Sequence, residues 1–182
     1  HTLVLDEFDK SLEVGFEAEM TEIVEAMPRV KQRILTSATS DVGIPKFVGL
    51  QRPVFINYLR EGTSQLTIKT ILTSEKDKLQ SLKKALAFIG HQPGIVFCNF
   101  KEALERVSVF LTENISHHGR FHGGREQVDR ERALVKFRNG TCQLLLATDL
   151  ASRGLDTPEI RFILHYHLPP SEKEFTHRNG RT

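Results

Sequence analysis

Short apolar runs alternate with longer amphipathic stretches along the chain. Leu3-Val4-Leu5 predicts a strand, and the stretch from about Ser11 to Met27 predicts a helix that Pro28 ends. Arg33 to Ser37 returns as a strand, Ile44 to Leu50 as one or two helical turns, and Val54 to Tyr58 as a further strand. Residues Arg60 to Gln65 form a polar, glycine-containing stretch that reads as a linker. The pattern then restarts. Leu66 to Leu72 alternates apolar and polar side chains and predicts a strand. Lys76 to Ile89 is amphipathic, with Leu79, Leu82, Leu86 and Ile89 on one helical stripe.

Ile95 to Cys98 and Leu144 to Ala147 carry no polar interruption, so both predict strands covered on two faces. Lys101 to Glu113 predicts a helix with Leu104, Val107 and Leu111 inward, and Ile115 to Phe121 predicts a short strand. Gln127 to Phe137 predicts a helix closed by Asn139-Gly140. Phe162 to Leu164 predicts another strand, and Glu172 to Thr176 a short helix. Buried strands with intervening helices mean an α/β fold with parallel sheets built from right-handed βαβ units. The expected organisation is a first domain over 1–59, a linker over 60–65 and a second domain over 66–182.

Composition narrows the class of molecule. Hydrophobic content of 39% and charged content of 26% match an ordinary globular chain rather than a disordered one. A net charge of +2 is too mild to imply a polyanionic partner by itself, so any basic surface must be local. Cys98 and Cys142 each sit in an apolar context and no CxxC spacing exists, which predicts reduced thiols, no structural zinc and a cytoplasmic location. His1 in place of Met, and a charged glycine-containing motif at the other end, read as the ends of a fragment.

The chemistry concentrates where apolar runs stop. Asp6-Glu7-Phe8-Asp9 places three carboxylates at the end of the first run. The carboxyl ends of parallel strands face the crevice where open α/β sheets bind ligands. An Asp that holds Mg²⁺ beside a Glu that polarises water suits phosphoryl transfer to water; the same residues also suit a helix start capped by Asp9. Thr36-Ser37-Ala38-Thr39 ends the second run with hydroxyls that link an acidic site to another domain or cap a helix. Thr148-Asp149-Leu150-Ala151-Ser152-Arg153-Gly154-Leu155-Asp156 follows the most apolar strand and offers a hydroxyl, carboxylates, an arginine and a glycine. It is either a ligand loop or a tight loop closed by an Asp149–Arg153 pair. His177-Arg178-Asn179-Gly180-Arg181 places two guanidinium groups around a glycine, a geometry suited to phosphate or to a solvated basic turn.

In this order and at these spacings the motifs resemble those of the DEAD-box family of ATP-dependent RNA helicases. DEFD resembles the DEAD signature, Ser37-Ala38-Thr39 the SAT signature, and Ile95 to Phe100 the strand motif that opens the second domain's signatures. His122-Gly123 with Gln127 and Arg130 is similar to the HG…QxxR element. Thr148-Asp149 with Arg153-Gly154 and Asp156 is similar to TDxxxRGxD, and His177 to Arg181 to the start of HRxGRxGR. The resemblance implies two RecA-like domains, the first partial here and the second nearly complete, with ATP between them and RNA across both. It implies that Asp6 holds Mg²⁺ through water and that Glu7 orients or deprotonates the attacking water. It implies that Asp9 couples the domains with Ser37, Thr39 and His177. Gly154 and Asp156 would contact the nucleotide, with Asp156 on the ribose, and Arg181 would act as an arginine finger. Gly123, Gln127, Arg130 and Thr148 would contact the RNA backbone, which implies little sequence preference.

Two features depart from the family pattern. Phe8 stands where the family has Ala, and no GxxxxGK[ST] phosphate loop or adenine-reading glutamine motif occurs in the chain. The whole protein is therefore expected to be an ATP-hydrolysing RNA helicase, and this chain alone is expected to be inactive. The alternatives are an RNA clamp that uses ATP as a switch or not at all, and a helicase-fold DNA translocase.

Overall fold

A strand free of polar residues needs hydrogen-bonding neighbours on both edges and helices over both faces. Gly94–Phe97, here β3, has both. The computed structural model describes residues 1–8, 16–37, 43–44, 46–58, 66–74, 77–114, 117–149 and 160–181. Packing divides the chain into two compact units, His1–Ile68 and Lys69–Thr182.

In the first unit, β1 (Thr2–Leu5) pairs in parallel with β2 (Gln32–Leu35), with Leu5 opposite Leu35. Helix α1 (Glu17–Glu25) lies between them in sequence, and a single 3-10 turn covers Lys46–Val48. Phe8, Val24 and Val48 are buried. The large side chain at position 8 is therefore accommodated inside, at 2% exposure.

Among the described residues the second unit holds a four-stranded, wholly parallel sheet in the order β4-β5-β3-β6. Its remaining strands are β4 (His118–Phe121), β5 (Leu144–Ala147) and β6 (Phe162–His165). The helices are α2 (Lys78–Ile89), α3 (Lys101–Asn114), α4 (Gln127–Arg138) and α5 (Glu172–Asn179). Strand side chains alternate between two cores. Ile95, Phe97, Leu145 and Ala147 meet Ala133 and Phe137 of α4. Val96, Cys98, Leu144 and Leu146 meet Leu79, Leu82 and Leu86 of α2 and Leu104, Val107 and Leu111 of α3. Full burial of an aliphatic side chain contributes about 1.5–3 kcal/mol, whereas helix propensities differ by at most ~0.7 kcal/mol per ordinary residue. Three such side chains spaced along α3 outweigh its β-branched and hydroxyl residues, so packing rather than propensity decides this helix.

Local signals set the ends. The Asp77 carboxylate accepts the Leu79 amide at 3.1 Å and starts α2, and Gly90 ends it at φ 77°. The Ser171 hydroxyl caps α5, accepting the Glu174 amide at 3.2 Å and donating to the Glu174 carboxylate at 3.3 Å. Gly94 lies opposite Phe162 across the sheet, and a Cβ there would stand 2.3 Å from the Phe162 ring. Only a glycine admits that ring.

Two expected strands do not form. Residues 54–58 and 66–72 are irregular, with Val54 and Leu72 87% and 92% exposed. Alternation alone cannot make a strand: its backbone groups need a paired neighbour, and none of the strands formed among the described residues pairs with either stretch. The expected linker and the first part of the helix expected from Ser11 lie outside the described residues. No helix among the described residues is long and apolar enough to cross a membrane.

Candidate functional site

In the first unit the acidic residues sit at the carboxyl end of β1, where the backbone leaves the sheet. Thr36 zips the two strand ends together: its amide donates to the Leu5 carbonyl at 3.0 Å, and its own carbonyl accepts the Phe8 amide at 2.9 Å. The Thr36 hydroxyl then donates to Asp6 Oδ1, which also accepts the Glu7 amide at 3.0 Å. Asp6 is exposed and Glu7 half-buried. Glu7 adopts φ 47°, a left-handed conformation uncommon for a residue with a side chain. The Thr36 and Phe8 bonds hold the turn in that form. The result is a pair of adjacent carboxylates, one pinned by a hydroxyl and an amide, at the ligand edge of a parallel pair. Ser37 is exposed beside them. Asp9 and Thr39 lie outside the described residues. Thr36 is the hydroxyl that grips Asp6, although SAT-like spacing directs attention to its neighbours.

In the second unit β5 delivers Thr148 and Asp149 to the same kind of edge. Thr148 is buried, and its amide donates to the Phe121 carbonyl of β4 at 3.3 Å. Among the described residues, Asp149 is met by Arg178, from the last helix. Its two oxygens accept Nε and Nη2 of Arg178, each at 2.5 Å. Arg178 is 2% exposed and every one of its donors is engaged. Nη2 also donates to Asn99 Oδ1 at 2.8 Å, and Nη1 donates to the His167 carbonyl at 2.9 Å and to His165 Nδ1 at 3.3 Å. Its Cζ lies 5.0 Å from the centre of the Phe97 ring. A guanidinium so committed is not a phosphate ligand. Of the two arginines in the terminal basic motif, Arg178 is the internal anchor, and Arg181, half-buried beyond the end of α5, is the one that remains a candidate ligand.

His165 completes the anchor. Its ring stacks on Phe97 and Phe175, and Nε2 donates to Asn179 Oδ1 at 3.1 Å. Nδ1 accepts from Arg178, so the ring is neutral here. Burial first, then the Arg178 charge, holds its pKa below the usual range, against an opposing pull from Asn179 and Asp149. Cys98 is fully buried at the end of β3, and burial pushes its thiol up to about 12. It is packing, not a nucleophile.

The turn after β4 lies beside Thr148 at the same edge of the second unit's sheet. His122 is 3% exposed; its Nε2 lies 2.8 Å from Glu105 Oε1 on α3, and its Nδ1 accepts the Gly124 amide at 3.2 Å. Arg120 donates to the other Glu105 oxygen at 2.8 Å. Burial alone would raise the Glu105 carboxyl, but the bonds from Arg120 and His122 outweigh it and hold it below its ordinary value. Gly123 is exposed. Gln127 and Arg130, on the first turn of α4, hydrogen-bond each other at 2.5 Å. His177 is half-buried on α5. Arg153, Gly154 and Asp156 lie outside the described residues. Sequence spacing brought out Gly123, Gln127, Arg130 and Thr148. It gave no sign of Glu105, which meets His122 across a helix and a strand.

Comparison with known proteins places these residues in a family. The model of the helicase conserved C-terminal domain matches residues 77–182. The chain is 32% identical over 201 residues to DEAD-box ATP-dependent RNA helicase 21 of Oryza sativa subsp. japonica, covering 99% of this chain and 27% of that protein. It is 38% identical over 189 residues to the chloroplastic DEAD-box ATP-dependent RNA helicase 3B of Zea mays, covering 99% of this chain and 25% of that protein. The chain thus spans only a minor part of the curated relatives it matches. Among solved structures, S. cerevisiae Dbp5 bound to RNA and ADP BeF3 superimposes with a TM-score of 0.77 at 22% identity, over 99% of this chain and 49% of that one. Prp28 from Chaetomium thermophilum bound to ADP superimposes with a TM-score of 0.58 at 30% identity, over 100% of this chain and 44% of that one.

Proposed function

The chain belongs to the DEAD-box helicase family, with RecA-like parallel sheets flanked by helices, and from that premise we propose that the whole protein couples ATP hydrolysis to unwinding or remodelling of RNA duplexes. The observation that carries the reading is Asp6 beside Glu7 at the end of a parallel strand, with Asp6 held by the Thr36 hydroxyl. Relatives named as ATP-dependent RNA helicases support it, as does the ADP held by the Prp28 neighbour. Residues 1–59 are assigned to the carboxyl part of the first RecA-like domain, 60–65 to a linker and 66–182 to the second.

Asp6 fits a hard cation: it is an exposed carboxylate at a strand end, the oxygen donor that Mg²⁺ takes with its waters retained. The ion supplies charge neutralisation on the phosphate oxygens. Glu7 orients or deprotonates the water that attacks the terminal phosphate. Gly154 and Asp156 contact the nucleotide, and Arg181 stabilises the charge that develops in transfer. Asp9, Ser37, Thr39 and His177 couple nucleotide state to domain closure. Gly123, Gln127, Arg130 and Thr148 bind the RNA backbone. Two buried free thiols suit a reducing compartment, and the cytoplasm is the one proposed.

Steady-state ATPase of the whole protein, with and without RNA, tests the reading. RNA stimulation is expected, and Glu7→Gln should lower turnover by about 10²–10⁴-fold, the contribution of a positioned general base. Equal stimulation by DNA of the same sequence would move the protein to the translocases. RNA retention without turnover would make it a clamp. The chain of residues 1–182 alone, which contains no GxxxxGK[ST] sequence, should hydrolyse no ATP.

A further inference from the structure

We infer that Glu105 is a positioning residue for RNA binding, acting through His122 on the turn His122-Gly123-Gly124; the inference rests on the RNA reading above. A carboxylate close to a turn that receives phosphate is electrostatically adverse, so its place there requires a reason. Both Glu105 oxygens are spent on that turn and its strand. Oε1 meets His122 Nε2 at 2.8 Å, and Oε2 meets Arg120 Nη1 at 2.8 Å, which offsets the charge.

The His122 ring transmits the constraint. Its Nδ1 accepts the Gly124 amide at 3.2 Å, so that nitrogen carries no proton and Nε2 carries it. Only this neutral tautomer satisfies both contacts, and Glu105 is the acceptor that selects it. Gly123 therefore lies between two fixed points: a buried ring held from α3 and an amide held by the same ring. A Cβ at position 124 would stand 3.2 Å from Nδ1, and the bare glycine leaves the amide room to approach. The Arg120–Glu105 pair has both side chains more than a third exposed, and exposed pairs add little to stability. The Arg120 contact is better explained by geometry than by stability.

The test uses residues 1–182, a fluorescent oligouridine and nitrogen-15 spectra of the imidazoles. Glu105→Ala should weaken RNA binding about tenfold, the effect of losing one charge-assisted hydrogen bond. It should also shift the His122 ring signals away from the Nε2-protonated tautomer. Glu105→Gln keeps an acceptor oxygen for His122 and should restore most of both. Unchanged RNA affinity in Glu105→Ala overturns the proposal, as does lost affinity with the His122 signature intact. Arg130→Ala separates the two levels of the argument. If it weakens binding and Glu105→Ala does not, the RNA reading stands and the positioning role fails. If the unsubstituted chain binds no RNA, the RNA reading fails and the RNA-positioning role falls with it.

Discussion

Arg178 and Asp149 form a doubly hydrogen-bonded pair, 2.5 Å at each bond, that joins the last helix to the end of the central strand β5. The pair ties two segments 29 residues apart in sequence, and the residues beside it are Thr148 on one side and Asn179 and Arg181 on the other. The position of the terminal basic motif is thus set from inside the sheet.

Breaking that pair should be costly. Removal of one partner of a buried ion pair leaves the other charge uncompensated, a loss of about 3–5 kcal/mol. Arg178→Met should lower the urea unfolding free energy of the chain by roughly that amount. Arg178→Lys should recover little, since an ammonium cannot form the planar fork that reaches Asp149, Asn99, His165 and the His167 carbonyl together. A fully stable lysine variant would contradict this account.

Stability should fall in mild acid. In the unfolded chain His165 titrates near the ordinary imidazole value of 6.5, whereas in the folded chain its pKa is lowered, chiefly by burial. The unfolded state therefore takes up the proton first. Stability is level above pH 6.5 and declines as pH drops below it. His167 acts in the same direction through burial, Lys78 and Arg178. Denaturant melts between pH 8 and pH 5 check this, and His165→Asn should flatten the decline while keeping a polar partner for Arg178.

Gly94 should resist substitution. Gly94→Ala would press a methyl into the Phe162 ring, and overpacking of this kind costs about 1–3 kcal/mol. Phe162→Leu in the same chain should return part of the loss. Measuring all four corners of the cycle checks it, and additive effects would show that the ring is not the obstacle.

Arg181 should matter for turnover and not for folding. In the whole protein Arg181→Ala is expected to reduce kcat by about 10³–10⁵-fold, as an arginine finger does. Arg178→Ala should instead lower activity together with stability. Rapid-quench ATPase beside thermal melts distinguishes the two arginines.

Much of this architecture could be read before any coordinates. The cores of β3 and β5, the leucine stripe of α2 and the cap at Asn139-Gly140 follow from apolar periodicity and turn chemistry. Residues 54–58 and 66–72 misled because alternation records which faces are apolar, not whether a neighbouring strand is there to accept the hydrogen bonds. The candidate site was legible where residues sit next to each other, as in Asp6-Glu7 and Gln127 with Arg130. It was opaque where the fold makes the contact. Asp149 accepts two bonds from Arg178, 29 residues away on another element, and no local spacing announces that contact. Thr36 and Glu105 carry no local signature, because each acts on a partner that only strand pairing or helix packing brings near.

The parallel sheet gathers Thr148, Asp149, His122 and Asn99 at one pole. The turn Asn139-Gly140-Thr141 precedes β5 and so lies at the other. Gly140, at φ 75° with nothing within 4 Å of an added Cβ, marks it as open surface. A dye, affinity handle or surface tether attached at Thr141 would report on the second unit without crowding its working face.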